Sequence, residues 1–93
     1  MTELYETVTL QSQVKDLHIT LEPYESFVIK PNHGSGGKGS LVITHRNGEL
    51  FITSSGNELT LVGIKRHVSN ILSGLYSLGG RYDTVIIEKL VAF

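Results

Sequence analysis

The residues whose types and spacing best suit a chemical role lie at positions 27–40, where the sequence reads FVIKPNHGSGGKGS. Glycines allow successive backbone N–H groups to converge on an anion, because no Cβ blocks the approach or disfavours a positive φ. Lys30 ends the apolar run before Pro31 and adds a fixed positive charge beside those glycines. The combination predicts a phosphate-binding loop between two strands.

Two well-known phosphate loops do not fit this segment. The Walker A motif requires G-x-x-x-x-G-K-[ST] running into a helix, whereas here Lys38 is followed by Gly39 and then by residues typical of a strand. A dinucleotide-binding fingerprint also requires a helix after its glycines. For the glycines alone, a hairpin loop without a ligand is an equal alternative.

The elements that must position this segment follow from the apolar pattern. It predicts an α+β domain, a small and mostly antiparallel sheet with two helices, in the order β-α-β-β-β-α-β. Asn47-Gly48 between two β-branched runs predicts a hairpin. The predicted strands are residues 4–10, 27–30, 40–44, 49–53 and 84–91, and the predicted helices are residues 12–21 and 61–78.

Both helices carry apolar residues at helical spacing. Ser12 is a candidate cap for the first, although β-branched Ile19 and Thr20 keep a strand over residues 17–21 open. Thr60 is a candidate N-cap for the second, and Gly79-Gly80 is its expected stop. The apolar stripe of the second helix consists of Ile64, Val68, Ile71, Leu72, Leu75 and Leu78.

Composition excludes several classes of protein. The 93 residues suffice for one small domain, and a formal net charge of −1 gives no general affinity for nucleic acid. No apolar run approaches the ~20 residues of a membrane span, and the first residues lack signal-peptide features, so a cytoplasmic location without membrane partners is expected. Cysteine is absent and the four histidines share no metal-ligand spacing, so no metal site is predicted.

The sequence resembles a known family in its combination of motifs. FVIKPNHGSGGKG followed by a strand, a hairpin, a long helix and IIEKLV is similar to the central ATP-binding subdomain of ATP-grasp ligases. Within that superfamily it resembles the alpha-L-glutamate ligase-like group, including the PYE turn before FVIKP and the stretch HVSNILSG. The resemblance implies an ATP-binding subdomain of a carboxylate–amine ligase, which activates a carboxylate as an acyl phosphate.

The same resemblance implies a role for each site residue. Lys30 would contact the ATP phosphates, and Glu88 would accept a hydrogen bond from the adenine amino group, which an acceptor-only carboxylate suits. A solvated lysine and a water-facing glutamate are the alternatives, and Lys38 is equally a second phosphate contact or a solvated charge. The remaining expected ATP contacts are Gly34, Ser35, Gly36, Gly37 and Gly39 over the phosphates, and the backbone of Lys89, Leu90 and Val91 at the adenine edge.

The resemblance also implies parts that these 93 residues do not contain. The family binds Mg-ATP, but its metal ligands lie beyond the adenine-binding strand. Residues 1–93 are therefore expected to be one subdomain of an incomplete enzyme. The N-terminal substrate domain and the C-terminal metal-binding part would be missing, and no turnover is expected. Self-association through the sheet edge, or through an apolar face near Ile86, Leu90, Val91 and Phe93, is expected. The alternative functions are a small module that binds an anion or a protein through the glycine hairpin, and a purely structural domain.

Overall fold

The computed structural model describes residues 4–8, 11–33, 39–75 and 82–89. These residues form an α+β fold with one six-stranded sheet and helices packed on it, which confirms the predicted class. A 3₁₀ helix, Gln11–Asp16, leads directly into α1, Leu17–Leu21, and α2 is Leu61–Leu72. The strands are β1, Leu4–Val8; β2, Phe27–Pro31; β3, Leu41–Asn47; β4, Leu50–Thr53; β5, Glu58–Leu59; and β6, Val85–Lys89.

The sheet has the strand order β1-β6-β2-β3-β4-β5, and every neighbouring pair is antiparallel. The last strand therefore lies inside the sheet, between β1 and β2. In the β2–β6 pair, Phe27 is opposite Lys89 and Pro31 is opposite Val85. We call residues 34–39 the glycine segment. The register places the residues just before it, on β2, beside the strand that carries Glu88.

The two faces of the sheet differ in what covers them. Along β2, Phe27, Ile29 and Pro31 are buried, whereas Val28 and Lys30 are half-buried. Because strand side chains alternate between faces, the first three lie on the core side with the helices. The other two lie on the opposite side, here called the open face, together with Val42, Ile86 and Glu88 from the paired strands.

The core lies between the sheet and the helices. Phe27 and Phe51 meet edge to face, with ring centroids 6.0 Å apart and planes at 71°, an arrangement that aromatic quadrupoles favour. The predicted stripe of α2 supplies one wall of this core. The buried members are Leu17, Leu21, Phe27, Ile29, Ile43, Phe51, Ile64, Val68, Ile71, Leu72, Val85 and Ile87.

Helix α2 begins where expected and ends earlier than expected. Thr60 caps it, since its hydroxyl accepts a hydrogen bond from the Gly63 N–H at 3.2 Å. The expected continuation to Leu78 is wrong, because Gly74 adopts φ +90° and its N–H bonds the Ile71 carbonyl, while the N–H of Leu75 bonds the Asn70 carbonyl. These two bonds form a Schellman motif, which terminates the helix.

This early end has consequences for the predicted stripe. Leu75 follows the Schellman motif, and 64% of its surface is exposed, so it is not part of the core. The other expected members up to Leu72 are buried. Leu78 and the expected stop at Gly79-Gly80 lie outside the described residues.

The first helical segment differs from the prediction in its geometry. It is a 3₁₀ helix before it becomes α-helical, and Ser12 lies within the 3₁₀ part instead of capping a helix. Val14 in the 3₁₀ part and Leu17 at the start of α1 nevertheless both pack in the core, as their spacing predicted. The open alternative of a strand over residues 17–21 is wrong.

The predicted hairpin at Asn47-Gly48 is present. Asn47 pairs with Leu50, so Gly48 and Glu49 form the two-residue loop, and Gly48 has φ +62°. A glycine at the first loop position suits type I′ and type II′ turns, whose backbone twist matches that of the two strands they join. The short strand β5 was not expected, because two residues are too few to show alternation.

Gly63 in the first turn of α2 and Gly74 just after its last turn provide a stability test of the helix ends. Gly63 has an unstrained backbone, and an added Cβ would make only ordinary contacts, at 3.6 Å to Leu59. Gly63→Ala should therefore raise the free energy of unfolding by about 0.5–1 kcal/mol, whereas Gly74→Ala should lower it by about 1 kcal/mol because of its positive φ. Urea unfolding of both variants measures this. Equal effects of the two substitutions would contradict the assignment of Gly74 as the helix terminator.

Candidate functional site

The glycine segment connects two neighbouring antiparallel strands. β2 ends at Pro31 and β3 begins at Leu41, with Val28 opposite Val42 and Ile29 opposite Leu41. A strand and not a helix follows Gly39, as predicted, so the segment is neither a Walker A motif nor a dinucleotide fingerprint. Residues 34–38, which include the expected contacts Gly34, Ser35, Gly36, Gly37 and Lys38, lie outside the described residues.

Lys30 and Glu88 form an ion pair on the open face. The Lys30 Nζ lies 2.5 Å from the Glu88 Oε1, although the two residues come from different strands. Val28 is directly opposite Glu88, so Lys30 is its diagonal neighbour on the same face, a separation that long side chains cover. The alternatives of a merely solvated lysine and a water-facing glutamate do not describe this pair, since 13% of the Glu88 side chain is exposed.

This ion pair adds little to the stability of the fold, but it fixes the positions of its two charged groups. The Lys30 side chain is 40% exposed, and ion pairs so open to water contribute only about 0.2–1 kcal/mol to stability. The contact nevertheless fixes an ammonium group and a carboxylate side by side. Half-buried Val28, Val42 and Ile86 surround them and supply an apolar floor.

The residue before the glycine segment is held by Asp83. The backbone N–H of His33 donates to both carboxylate oxygens of Asp83, at 3.1 and 2.9 Å, and the His33 Nδ1 lies 2.9 Å from Oδ1. The Thr84 N–H donates to the same Oδ1 at 2.7 Å. The Asp83 side chain is almost completely buried, with 1% exposed, while the His33 ring is 71% exposed. A buried carboxylate therefore fixes the chain where the segment begins.

The electrostatics of Asp83 favour its ionised form. Burial by itself raises the pKa of the Asp83 carboxyl, but the backbone N–H groups of His33 and Thr84, with the hydrogen bond and charge of the His33 ring, outweigh it. The resulting pKa is below the ordinary value of 3.8. The carboxylate is thus charged at neutral pH, when its hydrogen bonds are strongest.

Gly39, the last glycine of the segment, is held by His67 on α2. The His67 Nε2 lies 2.6 Å from the Gly39 carbonyl oxygen, and since a carbonyl only accepts, the ring nitrogen must carry the proton. Gly39 has φ +82°, a conformation that glycine adopts without strain. The loop is therefore attached to the fold at both ends, at His33 and at Gly39.

The structure describes four of the residues expected to contact ATP. Lys30 and Glu88 are paired, Lys89 ends β6 at an exposed position, and Gly39 starts the return to β3. Leu90 and Val91, like Phe93, lie outside the described residues, whereas Ile86 is half-buried on the open face.

Sequence reasoning missed Asp83 and His67. The His33 ring is exposed, and nothing in the sequence indicated its backbone contact with Asp83. The available signal was Asp83 just before the buried strand β6. Its partner could not be inferred until the register of that strand was known. His67 gave the weaker signal of a polar residue beside the apolar stripe of α2.

Other features of the molecule lie apart from this site. A groove of about 520 Å³ runs between α1, the β3–β4 turn and the start of α2, and its lining includes neither Lys30 nor Glu88. Its Arg46 stacks on the Phe51 ring at 4.5 Å. Within the described ranges no group of three histidine, aspartate or glutamate residues could hold a metal ion. None of the helices described here is long and apolar enough to span a membrane.

The architecture and the site together define a class of protein. An antiparallel sheet with helices on one face, and a lysine–glutamate pair beside a glycine hairpin on the other, is consistent with an ATP-grasp subdomain. The family model described as sugar-transfer associated ATP-grasp matches residues 1–93, so the chain belongs to that family and is an ATP-binding, ligase-like domain. This confirms the ATP-grasp resemblance but does not distinguish the glutamate ligase-like group. No curated protein and no solved structure matched the chain.

Asp83 makes stability depend on pH in a defined direction. Because its pKa is lowered in the folded state, the stabilisation is complete above the ordinary, unfolded-state value of 3.8 and is lost as pH falls through the lower folded value. Asp83→Asn should lower the free energy of unfolding at pH 7 by about 1–3 kcal/mol, the cost of weakening a buried acceptor of charged-group hydrogen bonds. It should also flatten the decline of stability below pH 4.

Urea unfolding between pH 7 and pH 3 measures both effects. The chain's other aspartate, Asp16, is exposed and its side chain makes no capping hydrogen bond, so Asp16→Asn is the matched control and should change little. A steep acid decline that persists in Asp83→Asn would show that other carboxyl groups cause it.

Proposed function

We propose that the open face binds ATP, and that the chain is the nucleotide-binding subdomain of a carboxylate–amine ligase. The observation that carries the proposal is the ion pair between Lys30, on the strand that leads into the glycine hairpin, and Glu88, on the neighbouring strand β6. It places a cation next to the loop and an acceptor carboxylate beside an apolar floor. ATP offers the matching groups, which are an anionic triphosphate and an aromatic ring with an exocyclic amine.

Each part of ATP has a proposed partner. The phosphates contact the Lys30 ammonium, which acts as a point charge with three donors, and the backbone of residues 34–39 with Ser35 and Lys38. The adenine ring lies on Val28, Val42 and Ile86. Its amino group donates to Glu88, and its ring edge meets the backbone of Lys89, Leu90 and Val91.

The carboxylate–amine chemistry is the finer part of the proposal. It is supported by the similarity of FVIKPNHGSGGKG and IIEKLV to glutamate ligase-like proteins, in which ATP phosphorylates a carboxylate and an amine then displaces the phosphate. In this chain Lys30 would hold the phosphate that is transferred.

Backbone amide shifts during an ATP titration test the nucleotide site. We expect Kd near the millimolar range, about −4 kcal/mol, with concerted shifts at Lys30, Gly39, Glu88 and Lys89. Lys30→Ala should weaken ATP binding by roughly tenfold, equivalent to about 1.4 kcal/mol, because it removes a charge-assisted contact. Lys65→Ala is the matched control, since Lys65 lies on α2 over the other face, where its Nζ bonds the Lys15 carbonyl.

Two partial ligands separate this proposal from its alternatives. Adenosine should shift Lys89 but not His33 or Gly39, and tripolyphosphate should shift Lys30, His33 and Gly39 but not Lys89. Glu88 should respond to both ligands, because it is ion-paired with Lys30. Binding of tripolyphosphate with no added effect of the adenine ring would favour a general anion-binding module. Absence of shifts at several millimolar ATP would favour a structural domain and overturn the proposal.

The proposal extends to self-association through the open face or the sheet edge. Val28, Val42 and Ile86 are half-buried there, so apolar surface is available for contact between copies. Sedimentation velocity from micromolar to millimolar protein should show a rising average mass, and Ile86→Lys should reduce that rise. A constant monomer mass over the same range would contradict it.

A further inference from the structure

The glycine segment is attached to the rest of the fold by two side chains from distant parts of the sequence. Asp83 accepts hydrogen bonds from both the backbone N–H and the ring N–H of His33, the residue directly before the segment. His67 donates to the carbonyl of Gly39, 28 residues earlier in the chain. Both anchored residues lie in the described part of the chain.

We propose that His67 and Asp83 are positioning residues for phosphate binding, because they fix the two ends of the glycine segment relative to Lys30. This inference rests on the proposed nucleotide site and assigns to it two residues that act through His33 and Gly39, the residues they hold. A loop whose ends are fixed before the ligand arrives loses less conformational entropy on binding. The two hydrogen-bonded ends thus favour affinity without adding a contact.

Both anchors are mounted on rigid parts of the molecule. His67 lies on α2 between Ile64, Val68 and Ile71, which are completely buried in the core. The α2 helix packs on β2 and β6, the same strands that carry Lys30 and Glu88. The position of Gly39 is therefore set by the packing that also sets the ion pair.

The Asp83 anchor is connected to the same helix and strand. Its own backbone N–H lies 3.4 Å from the Leu72 carbonyl at the end of α2, and Thr84 accepts a hydrogen bond from the Asn32 N–H at 2.9 Å. The pair of β2 and β6 is thereby continued past Pro31 to His33. A shift of either strand would move the start of the glycine segment and the Lys30–Glu88 pair together.

The geometry distinguishes a positioning role from a purely structural one. The His67 residue is only partly buried, and its ring Nε2 bonds the carbonyl of a loop residue, Gly39. Losing this bond should therefore release the loop end while leaving the sheet and the adenine edge intact. Phosphate binding and adenosine binding should then respond differently.

The test uses two substitutions of His67 that differ in the hydrogen-bond donor. His67→Gln keeps an N–H donor at similar reach, and His67→Phe keeps a ring without a donor. We expect His67→Phe to weaken ATP and tripolyphosphate binding about fivefold, the loss of roughly one net hydrogen bond, and to leave adenosine-induced shifts at Glu88 and Lys89 unchanged. His67→Gln should bind ATP within about twofold of the parent chain.

The controls make every outcome decisive. His18→Ala removes an exposed histidine of α1 and should change none of the affinities. The amide shift of Gly39 without ligand should move in His67→Phe, and urea unfolding verifies that each variant is folded. Equal loss of ATP and adenosine binding would assign His67 a structural role only, and unchanged ATP binding in His67→Phe would overturn the inference.

Failure of the proposed function has a different signature. If the parent chain shows no ATP-dependent shifts, the nucleotide site is wrong and the positioning role falls with it, even where Gly39 responds to His67→Phe. If the parent chain binds ATP but donor loss has no effect, only the positioning role is wrong. Asp83→Asn serves as a second variant for the other loop end and should weaken tripolyphosphate more than adenosine.

Discussion

The antiparallel register of β2 and β6 is the constraint on which the rest of the site depends. Pro31 lies opposite Val85, so Lys30 falls diagonal to Glu88, and continuing the same register by two residues brings His33 opposite Asp83. A one-residue slip would exchange the two faces of a strand. The apolar residues Phe27, Ile29, Val85 and Ile87 oppose such a slip, because they would leave the core. Core packing therefore determines where the charged groups meet.

Local patterns predicted the elements better than their ends. The α2 stripe and the Asn47-Gly48 hairpin are encoded by residues close in sequence, so periodicity and turn chemistry identify them. The end of α2 was missed because several glycines follow it, and only the backbone bonds of Gly74 and Leu75 show which one terminates the helix. The two-residue strand β5 depends on its pairing with β4 and has no local pattern of its own.

The motifs and the family resemblance named candidate residues for the site but not the contacts between them. Lys30 and Glu88 were identified from their motifs, but nothing local indicates that two residues 58 positions apart touch. Asp83 and His67 were overlooked for the same reason, since their meaning comes from a register and a helix packing that are nonlocal. Motifs in one sequence thus suggest candidate groups for a site but do not show which residues hold those groups in place.

The Lys30–Glu88 pair also bears on which ligands the open face accepts. A simple anion that draws the ammonium group away leaves the mostly buried Glu88 carboxylate without its lysine, and part of the Coulombic gain is then lost. A ligand with both an anion and a hydrogen-bond donor compensates both groups at once. Because the Lys30 side chain is 40% exposed, the pair is worth only about 0.2–1 kcal/mol, and a ligand that compensates both groups separates it at little net cost. The same pair that keeps two charges in place before binding therefore favours nucleotides over phosphate alone.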